Sequence, residues 1–258
     1  MSLSGLFIEP RKMEQIILNM YNFQKCLPNT MLYFYCGKNN KEYYENEIIE
    51  FNNLNQNKVI DICYITIIEL DTNNLTFITY SNLLKKRTIW ETINTDYIIT
   101  IQTDGCLCEN TKHKISNFFK YDYVGGYAKQ KWWWKETKNL YNYNCHQCFN
   151  GGFSLRNRRN ILSVINAFPS NTTKKFYHGC PMINYPEDLY FVTGLLKLKY
   201  KVGLDNFATM FCSHTSFVPG SFCIHKLDHY VKKDELIKCL NYCDFYSHFL
   251  DSLLLFYC

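Results

Sequence analysis

The sequence predicts an α/β domain in which helices cover both faces of a mostly parallel sheet. Short runs of β-branched and aromatic residues alternate with segments whose apolar residues recur at helical spacing. Residues 97–102 form one of these runs and are predicted to be a buried strand. The 258 residues contain no internal repeat, no low-complexity linker and no clear boundary, so we expect a single domain.

The first half alternates regularly between strands and helices. Helical spacing is clear over residues 12–25, where Met13, Ile16, Met20 and Phe23 lie on one face. Ser81 is the expected cap of a later helix. Strands are expected over residues 5–8, 30–36 and 97–102 and within residues 58–68, and helices over residues 12–25, 41–51 and 80–93.

The second half is less regular. A long polar and aromatic segment over residues 128–148 is expected to be a loop, and loops of this length are usually functional or mobile. Pro186 stands where helix starts favour proline. Strands are expected over residues 121–126, 152–156, 202–208 and 221–225, and helices over residues 157–168 and 187–200.

Charge and hydropathy argue against a nucleic-acid-binding, membrane-spanning or secreted protein. The net charge of +5 suits an enzyme that handles phosphates but is too diffuse to indicate a nucleic-acid partner. No apolar run reaches the roughly 18 residues of a membrane span, and the N-terminus lacks the pattern of a signal peptide. We therefore expect a cytoplasmic protein, in a host cytoplasm if the source is a virus, with residues 250–258 packed on the domain.

The chain contains 13 cysteines, and without a signal peptide we expect free, reduced thiols. Cys145 with Cys148, and Cys106 with Cys108, have spacings that zinc ligands also use. A structural zinc site needs a second pair at a matching spacing, and the remaining cysteines stand alone. Zinc is therefore not expected.

Asp104 follows the predicted strand 97–102. Ligands of open α/β sheets bind beyond the carboxyl ends of the strands, and a carboxylate there suits a divalent cation that bridges a diphosphate. An Asp-Gly pair is also a common turn, so a loop-capping role for Asp104 stays open.

Asn150-Gly151-Gly152 opens the predicted strand 152–156. Glycines allow a ligand to approach the backbone closely, although a hairpin turn uses the same residues. Arg156, at the other end of this strand, is expected to be a surface charge.

Glu187 and Asp188 follow Pro186 at a predicted helix start. A carboxylate here can act as a general base that takes a proton from an acceptor hydroxyl. Acids also stabilise helix N-termini without any catalytic role, and both readings stay open.

Two further candidates lie elsewhere in the chain. His225 can complete a metal site and Lys226 can contact a phosphate, although a single histidine is often structural. Exposed aromatic rings among Trp132, Trp133 and Trp134 can stack on sugar rings or bases, and neighbouring lysines leave a weak case for nucleic acid.

In this order the motifs resemble those of a family of GT-A-like glycosyltransferases, many known only as a domain of unknown function, found in bacteria, fungi and large DNA viruses. The likeness runs from about Phe7 to about Lys226. It is carried by Ile8-Glu9-Pro10-Arg11, Tyr80-Ser81-Asn82-Leu83-Leu84, Gln102-Thr103-Asp104-Gly105, Tyr121-Asp122-Tyr123-Val124-Gly125, Asn150-Gly151-Gly152-Phe153-Ser154-Leu155-Arg156, Pro186-Glu187-Asp188 and Ile224-His225-Lys226.

The resemblance implies a GT-A-like, Rossmann-like fold with a mixed, mostly parallel sheet flanked by helices. Residues 1–126 would bind the nucleotide, and residues 127–258 would supply the acceptor contacts and the base. The implied metal, Mn²⁺ or Mg²⁺, would be held by Asp104 and His225. The implied roles are donor binding by Glu9, Arg11, Tyr80, Thr103, Asp104, Asn150, Gly151, Gly152 and Lys226, base catalysis by Glu187 or Asp188, and acceptor binding by Trp132, Trp133 and Trp134.

The chain departs from the wider pattern in two places. Thr103-Asp104-Gly105 has one acid where most GT-A enzymes have two, and Lys226 is not followed by Pro-Trp. Metal-independent binding therefore stays open.

The expected function is transfer of a sugar from a nucleoside-diphosphate sugar, with UDP as the expected nucleotide, to a hydroxyl of a glycan or glycoprotein. The alternatives are a nucleotide-sugar hydrolase and a non-catalytic glycan- or nucleotide-binding module. We expect no nucleic-acid partner, and the sequence says nothing about the oligomeric state.

Overall fold

A computed structural model describes residues 1–129, 146–170, 185–248 and 250, and the backbone of residues 175–177 and 180–181. Its strands, in chain order, are β1 Leu3–Ile8, β2 Met31–Cys36, β3 Ile65–Glu69, β4 Tyr97–Ile101, β5 Gly105–Leu107, β6 Tyr123–Ala128, β7 Gln147–Asn157, β8 Lys175–Tyr177, β9 Cys180–Pro181, β10 Cys212–Ser213 and β11 Cys223–His225.

Nine of the described strands form one sheet, in the order β3-β2-β1-β4-β7-β6-β10-β11-β5. Strands β1 to β4 are parallel to one another, as are β6, β10 and β11. Strand β7 is antiparallel to both β4 and β6, and β5 is antiparallel to β11. Seven strands of this sheet therefore point the same way, which confirms the predicted α/β domain with a mixed, mostly parallel sheet.

Helices cover both faces of the sheet. One buried cluster packs Phe7 and Ile99 of the sheet against Ile16 and Met20 of a helix. The other packs Ile98 against Trp90 and the later helices. Alternate residues of one strand thus face opposite cores, as a sheet covered on both sides requires. The described α-helices are Gln15–Cys26, Lys41–Leu54, Phe77–Leu84, Arg87–Thr92, Arg158–Ala167, Glu187–Lys197 and Lys233–Tyr242.

The predicted helix over residues 80–93 is two helices, and Ser81 is not its cap. The first helix, Phe77–Leu84, begins after Thr76, whose hydroxyl accepts the N–H of Thr79. Ser81 is buried within that helix. The indole N–H of Trp90 donates to the carbonyl of Leu84 at 2.6 Å, so a buried side chain fills the break between the two helices.

Two further predictions in the second half are corrected, and two short strands were not predicted. The glycine pair does not open a short strand, because β7 runs from Gln147 to Asn157 and contains it. The predicted strand over residues 202–208 is a 3₁₀ turn, Asn206–Met210, capped by the Asp205 carboxylate. The short strands β5 and β10 had no sequence signal, since two or three residues are too few to show a period.

The ten cysteines with described side chains are free thiols. Within the described part of the chain, no group of three or more His, Cys, Asp or Glu side chains could hold a metal ion. None of the described helices has both the length and the apolar character needed to cross a bilayer.

Candidate functional site

The site lies at the carboxyl edge of the sheet. Glu9 directly follows β1, Asp104 lies three residues after β4, and His225 ends β11. These three strands point the same way, so their ends meet at one edge even though the residues are far apart in sequence. Gly105 pairs with His225 across β5 and β11, which brings Asp104 next to the histidine.

Asp104, His225 and Lys226 form a contact cluster. The Oδ1 atom of Asp104 lies 2.8 Å from Nε2 of His225, and its Oδ2 atom lies 3.0 Å from Nζ of Lys226. Lys226 adopts a left-handed backbone (φ 54°), and its N–H donates to the carbonyl of Asp104 at 2.9 Å. Burial opposes ionisation of Asp104, but the His225 imidazole and the Lys226 ammonium hold its pKa well below the ordinary value.

This cluster offers two of the ligands that a divalent cation needs. The contact between Oδ1 of Asp104 and Nε2 of His225 lacks hydrogen-bond geometry, and both atoms are buried without a hydrogen-bond partner among the described residues. A carboxylate and an imidazole can bind Mn²⁺ or Mg²⁺ when phosphate oxygens and water complete the shell. The described residues supply no third protein ligand.

His214 supports His225 and was missed in the sequence. The two imidazoles stack with their centroids 5.1 Å apart, and Nδ1 of His214 lies 3.0 Å from the carbonyl oxygen of His225. Tyr230 packs edge-on against His214 at 4.9 Å. Burial, followed by the neighbouring His225, lowers the pKa of His214 to about 3, so the ring is neutral at physiological pH.

A cavity of about 250 Å³ opens beside Asp104. In its wall, Nε and Nη2 of Arg11 contact the two carboxylate oxygens of Glu9 at 2.8 and 2.7 Å. This ion pair fixes Glu9, which is buried, while Arg11 remains half exposed. The cavity collects most of the predicted donor-binding residues, namely Glu9, Arg11, Tyr80, Thr103, Asp104 and Lys226.

A second cavity of about 180 Å³ adjoins the first. Phe77, Tyr80, Gln102 and Lys226 border both cavities, so the two form one cleft. Phe77 is 68% exposed at this junction. The second cavity is lined by five further predicted residues and by two that were not predicted, namely Asn150, Gly152, Glu187, Asp188 and His225, together with His214 and Tyr230.

Arg156 is not a surface charge. It is fully buried in β7, and its Nη1 lies 2.8 Å from Oε2 of Glu187 while its Nη2 donates to Oε1 at 3.1 Å. Burial disfavours the charged guanidinium, yet Glu187 more than offsets this, so the pKa of Arg156 lies above its ordinary value. Glu187 is thus held in a two-point ion pair, which no feature of the sequence had indicated.

Asp188 is the other carboxylate of the pair at the helix start. It is partly buried, and its oxygens accept the N–H groups of Leu189 at 2.7 Å and Gly151 at 3.3 Å. Burial and then the negative charge of Glu187 raise the pKa of Asp188 to about 7. A carboxyl group with this pKa can exchange protons near neutral pH.

The two glycines are packed against side chains. A Cβ on Gly151 would lie 2.2 Å from Oε1 of Glu187, and a Cβ on Gly152 would lie 2.3 Å from Nε2 of His225. Close approach therefore does explain the glycines, but the groups that approach are the side chains of Glu187 and His225. Gly152 borders the second cavity, whereas Gly151 does not.

The three tryptophans proposed for acceptor binding, Trp132, Trp133 and Trp134, lie outside the described residues. The rest of the predicted site combines residues from both predicted halves, since Asp104 from the first contacts His225 and Lys226 from the second.

Comparisons with known proteins give one family. The sequence model of the family described as "Protein of unknown function (DUF5672)" matches residues 64–225, which is more than half of the chain. A sequence comparison with curated proteins finds no match.

Among solved structures, the chain is similar to the galactosyltransferase LgtC in complex with donor and acceptor sugar analogues, at 11% identity and a TM-score of 0.49. The likeness covers 90% of this chain and 88% of that one. It is also similar to the glycosyltransferase GlyE of Streptococcus pneumoniae TIGR4, at 12% identity and a TM-score of 0.47. There the likeness covers 91% of this chain and 56% of the GlyE chain. At these levels of similarity, the case for function rests on the site itself.

Proposed function

The chain belongs to the DUF5672 family, and we propose that it is a glycosyltransferase. Its donor is a nucleoside-diphosphate sugar, with UDP as the expected nucleotide, and its acceptor is a hydroxyl group of a glycan or glycoprotein. The observation that carries this proposal is the pairing of two chemistries in one cleft. His225 and Lys226 contact Asp104, and a carboxyl group with a pKa of about 7, Asp188, lines the adjoining cavity.

The first cavity supports binding of the diphosphate. Lys226 is 39% exposed, so its ammonium can turn from Asp104 towards a phosphate while staying in the cleft. Arg11 adds a second cation to the lining of this cavity. A divalent cation held by Asp104 and His225 supplies, when bound, further stabilisation of the negative charge on the diphosphate.

The second cavity supports attack by the acceptor. The ionised Asp188 accepts the proton of the acceptor hydroxyl as its oxygen bonds to the anomeric carbon of the donor sugar. The bond from that carbon to the diphosphate oxygen breaks, and the nucleoside diphosphate leaves with the electron pair. Glu187 is less suited to this step because Arg156 contacts both of its oxygens. A single displacement of this kind inverts the anomeric configuration.

A nucleotide-sugar screen tests the proposal. Thermal shifts are measured with UDP- and other nucleotide sugars, with and without Mn²⁺, and the best ligand is then assayed for transfer. We expect Asp104→Ala to lose transfer while its circular dichroism stays unchanged. Asp71→Ala is the control, because Asp71 is an 89% exposed acid that lines neither cavity.

Transfer by Asp104→Ala at the wild-type rate would refute the assignment of the donor site. Release of free sugar at the same rate with and without acceptor would identify a hydrolase. Binding of nucleotide sugars without turnover would identify a binding module.

A further inference from the structure

The ion pair between Arg156 and Glu187 is the least expected feature of the cleft. Arg156 is fully buried and Glu187 is 5% exposed. Glu187 is the chain neighbour of Asp188, and both line the second cavity. Removing two charges from water is unfavourable, and well-packed apolar residues of similar volume often stabilise a fold as well or better. A buried pair at this position therefore needs an explanation other than fold stability.

The surroundings of Arg156 hold its guanidinium in one place. The Cζ atom lies 5.2 to 5.5 Å from the ring centroids of Tyr123, Phe191 and Trp90. Its Nε donates to the hydroxyl of Ser154 at 2.8 Å. Three aromatic rings and a hydroxyl thus orient the guanidinium independently of Glu187.

The same pair reaches Asp188 through Gly151. Arg156 Nη2 donates to the carbonyl of Gly151 at 3.3 Å, and the N–H of Gly151 donates to Asp188 at 3.3 Å. A side chain on Gly151 would collide with Glu187 and approach Arg156 and Asp188. The backbone of Gly151 is therefore held between the ion pair and the carboxyl group of Asp188.

We infer that Arg156 and Glu187 are positioning residues that place Asp188 in the cleft and adjust its charge, with Glu187 acting through Asp188 and not on the substrate. The chemical use of Asp188 rests on the proposed function, whereas the placement and the charge coupling do not. Glu187 supplies a negative charge beside Asp188 that favours the protonated carboxyl group, and Arg156 limits that effect.

Other titratable groups also face Asp188. Tyr123 of β6 interacts with it electrostatically. Tyr80, His214, His225, Lys226 and Tyr230 line the same cavity. Substitution of Glu187 or Arg156 leaves these groups in place, so a change in the titration of Asp188 between variants reports on the ion pair.

The experiment is an NMR titration of protein labelled with ¹³C at the aspartate carboxyl carbons, and Asp188→Asn identifies the Asp188 signal. Glu187→Gln keeps an acceptor oxygen for Nη2 of Arg156 but removes the negative charge, so we expect the pKa of Asp188 to fall by about one unit or more. Arg156→Met removes the cation that lowers the pKa of Asp188, so we expect that pKa to rise. Glu91→Gln is the matched control, because Glu91 pairs with Arg87 at 2.6 Å on the surface.

A pKa of Asp188 that is unchanged or higher in Glu187→Gln overturns the inference. This variant decides the matter by itself if Arg156→Met does not fold. The acid limb of the kcat/KM profile should move with the NMR pKa, and Arg156→Lys should restore part of the kcat lost in Arg156→Met. The titration needs no substrate, so a protein without transferase activity refutes the proposed function and leaves the ion-pair result standing.

Discussion

Replacing Asp188 by Asn should stabilise the protein at alkaline pH and have little effect at acidic pH. The pKa of Asp188 is raised from 3.8 to about 7 in the folded protein, first by burial and then by Glu187. The folded state therefore holds this proton more tightly than the unfolded state does. The contribution of this proton to the free energy of unfolding is fully present while the carboxyl group is protonated in both states. It falls as the pH rises from about 4 to about 7. Asn has no proton to lose, so the variant escapes this fall.

The magnitude follows from the size of the shift. A difference of about 3 units corresponds to about 4 kcal/mol when fully expressed, of which about 2.5 kcal/mol develops between pH 5 and pH 8. Asp188 is only partly buried, and solvent screening reduces this to about 1–1.5 kcal/mol. The free energy of unfolding of Asp188→Asn, relative to wild type, should therefore rise by that amount between the two pH values.

Urea unfolding at pH 5, 6.5 and 8 measures this difference. All other titrating groups are shared by the two proteins and largely cancel. Asp71→Asn, at an 89% exposed position, is the matched control. The reasoning fails if the difference between Asp188→Asn and wild type is the same at pH 5 and pH 8, or if it becomes smaller as the pH rises.

Two further predictions concern the walls of the cleft. Gly152→Ala places a methyl group 2.3 Å from Nε2 of His225. The affinity for Mn²⁺, measured by calorimetry, should therefore fall about tenfold or more. An unchanged affinity would exclude His225 as a ligand. Phe77→Ala removes an exposed ring that borders both cavities and should weaken nucleotide-sugar binding about fivefold, the effect of about 1 kcal/mol of ring stacking. Ile78→Ala is its control, since Ile78 is exposed but borders neither cavity, and an equal loss in both variants would contradict a stacking role.

The sequence predicted the architecture of the first half well, because each element there is long enough to show its period. Strands β2 and β4 and the helix Lys41–Leu54 begin within one residue of the predicted positions. The prediction of one helix over residues 80–93 was wrong, because the chain breaks there into two helices. The buried indole of Trp90 donates a hydrogen bond to the carbonyl of Leu84 at this break. A contact of that kind leaves no mark in a local pattern.

In the candidate site, too, local patterns predicted some residues and missed those that depend on tertiary contacts. Asp104, Glu187 and Asp188 were found because each follows an apolar run or starts a helix. Arg156 was taken for a surface charge, since an arginine near the end of a strand normally is one. Only its partner, 31 residues further along the chain, makes burial of this charge tolerable.

By itself, the sequence determined the α/β class, the alternation of strands and helices in the first half and the types of residue available for chemistry, because these depend on local spacing and on composition. The tertiary structure alone decided how those residues are used. In the folded protein, His225 and Lys226 contact Asp104, and His214 stacks on His225. Glu187 forms an ion pair with Arg156, whereas Asp188 does not. Charge, burial and pKa depend on neighbours in space, and sheet pairing brings together residues that no local pattern relates.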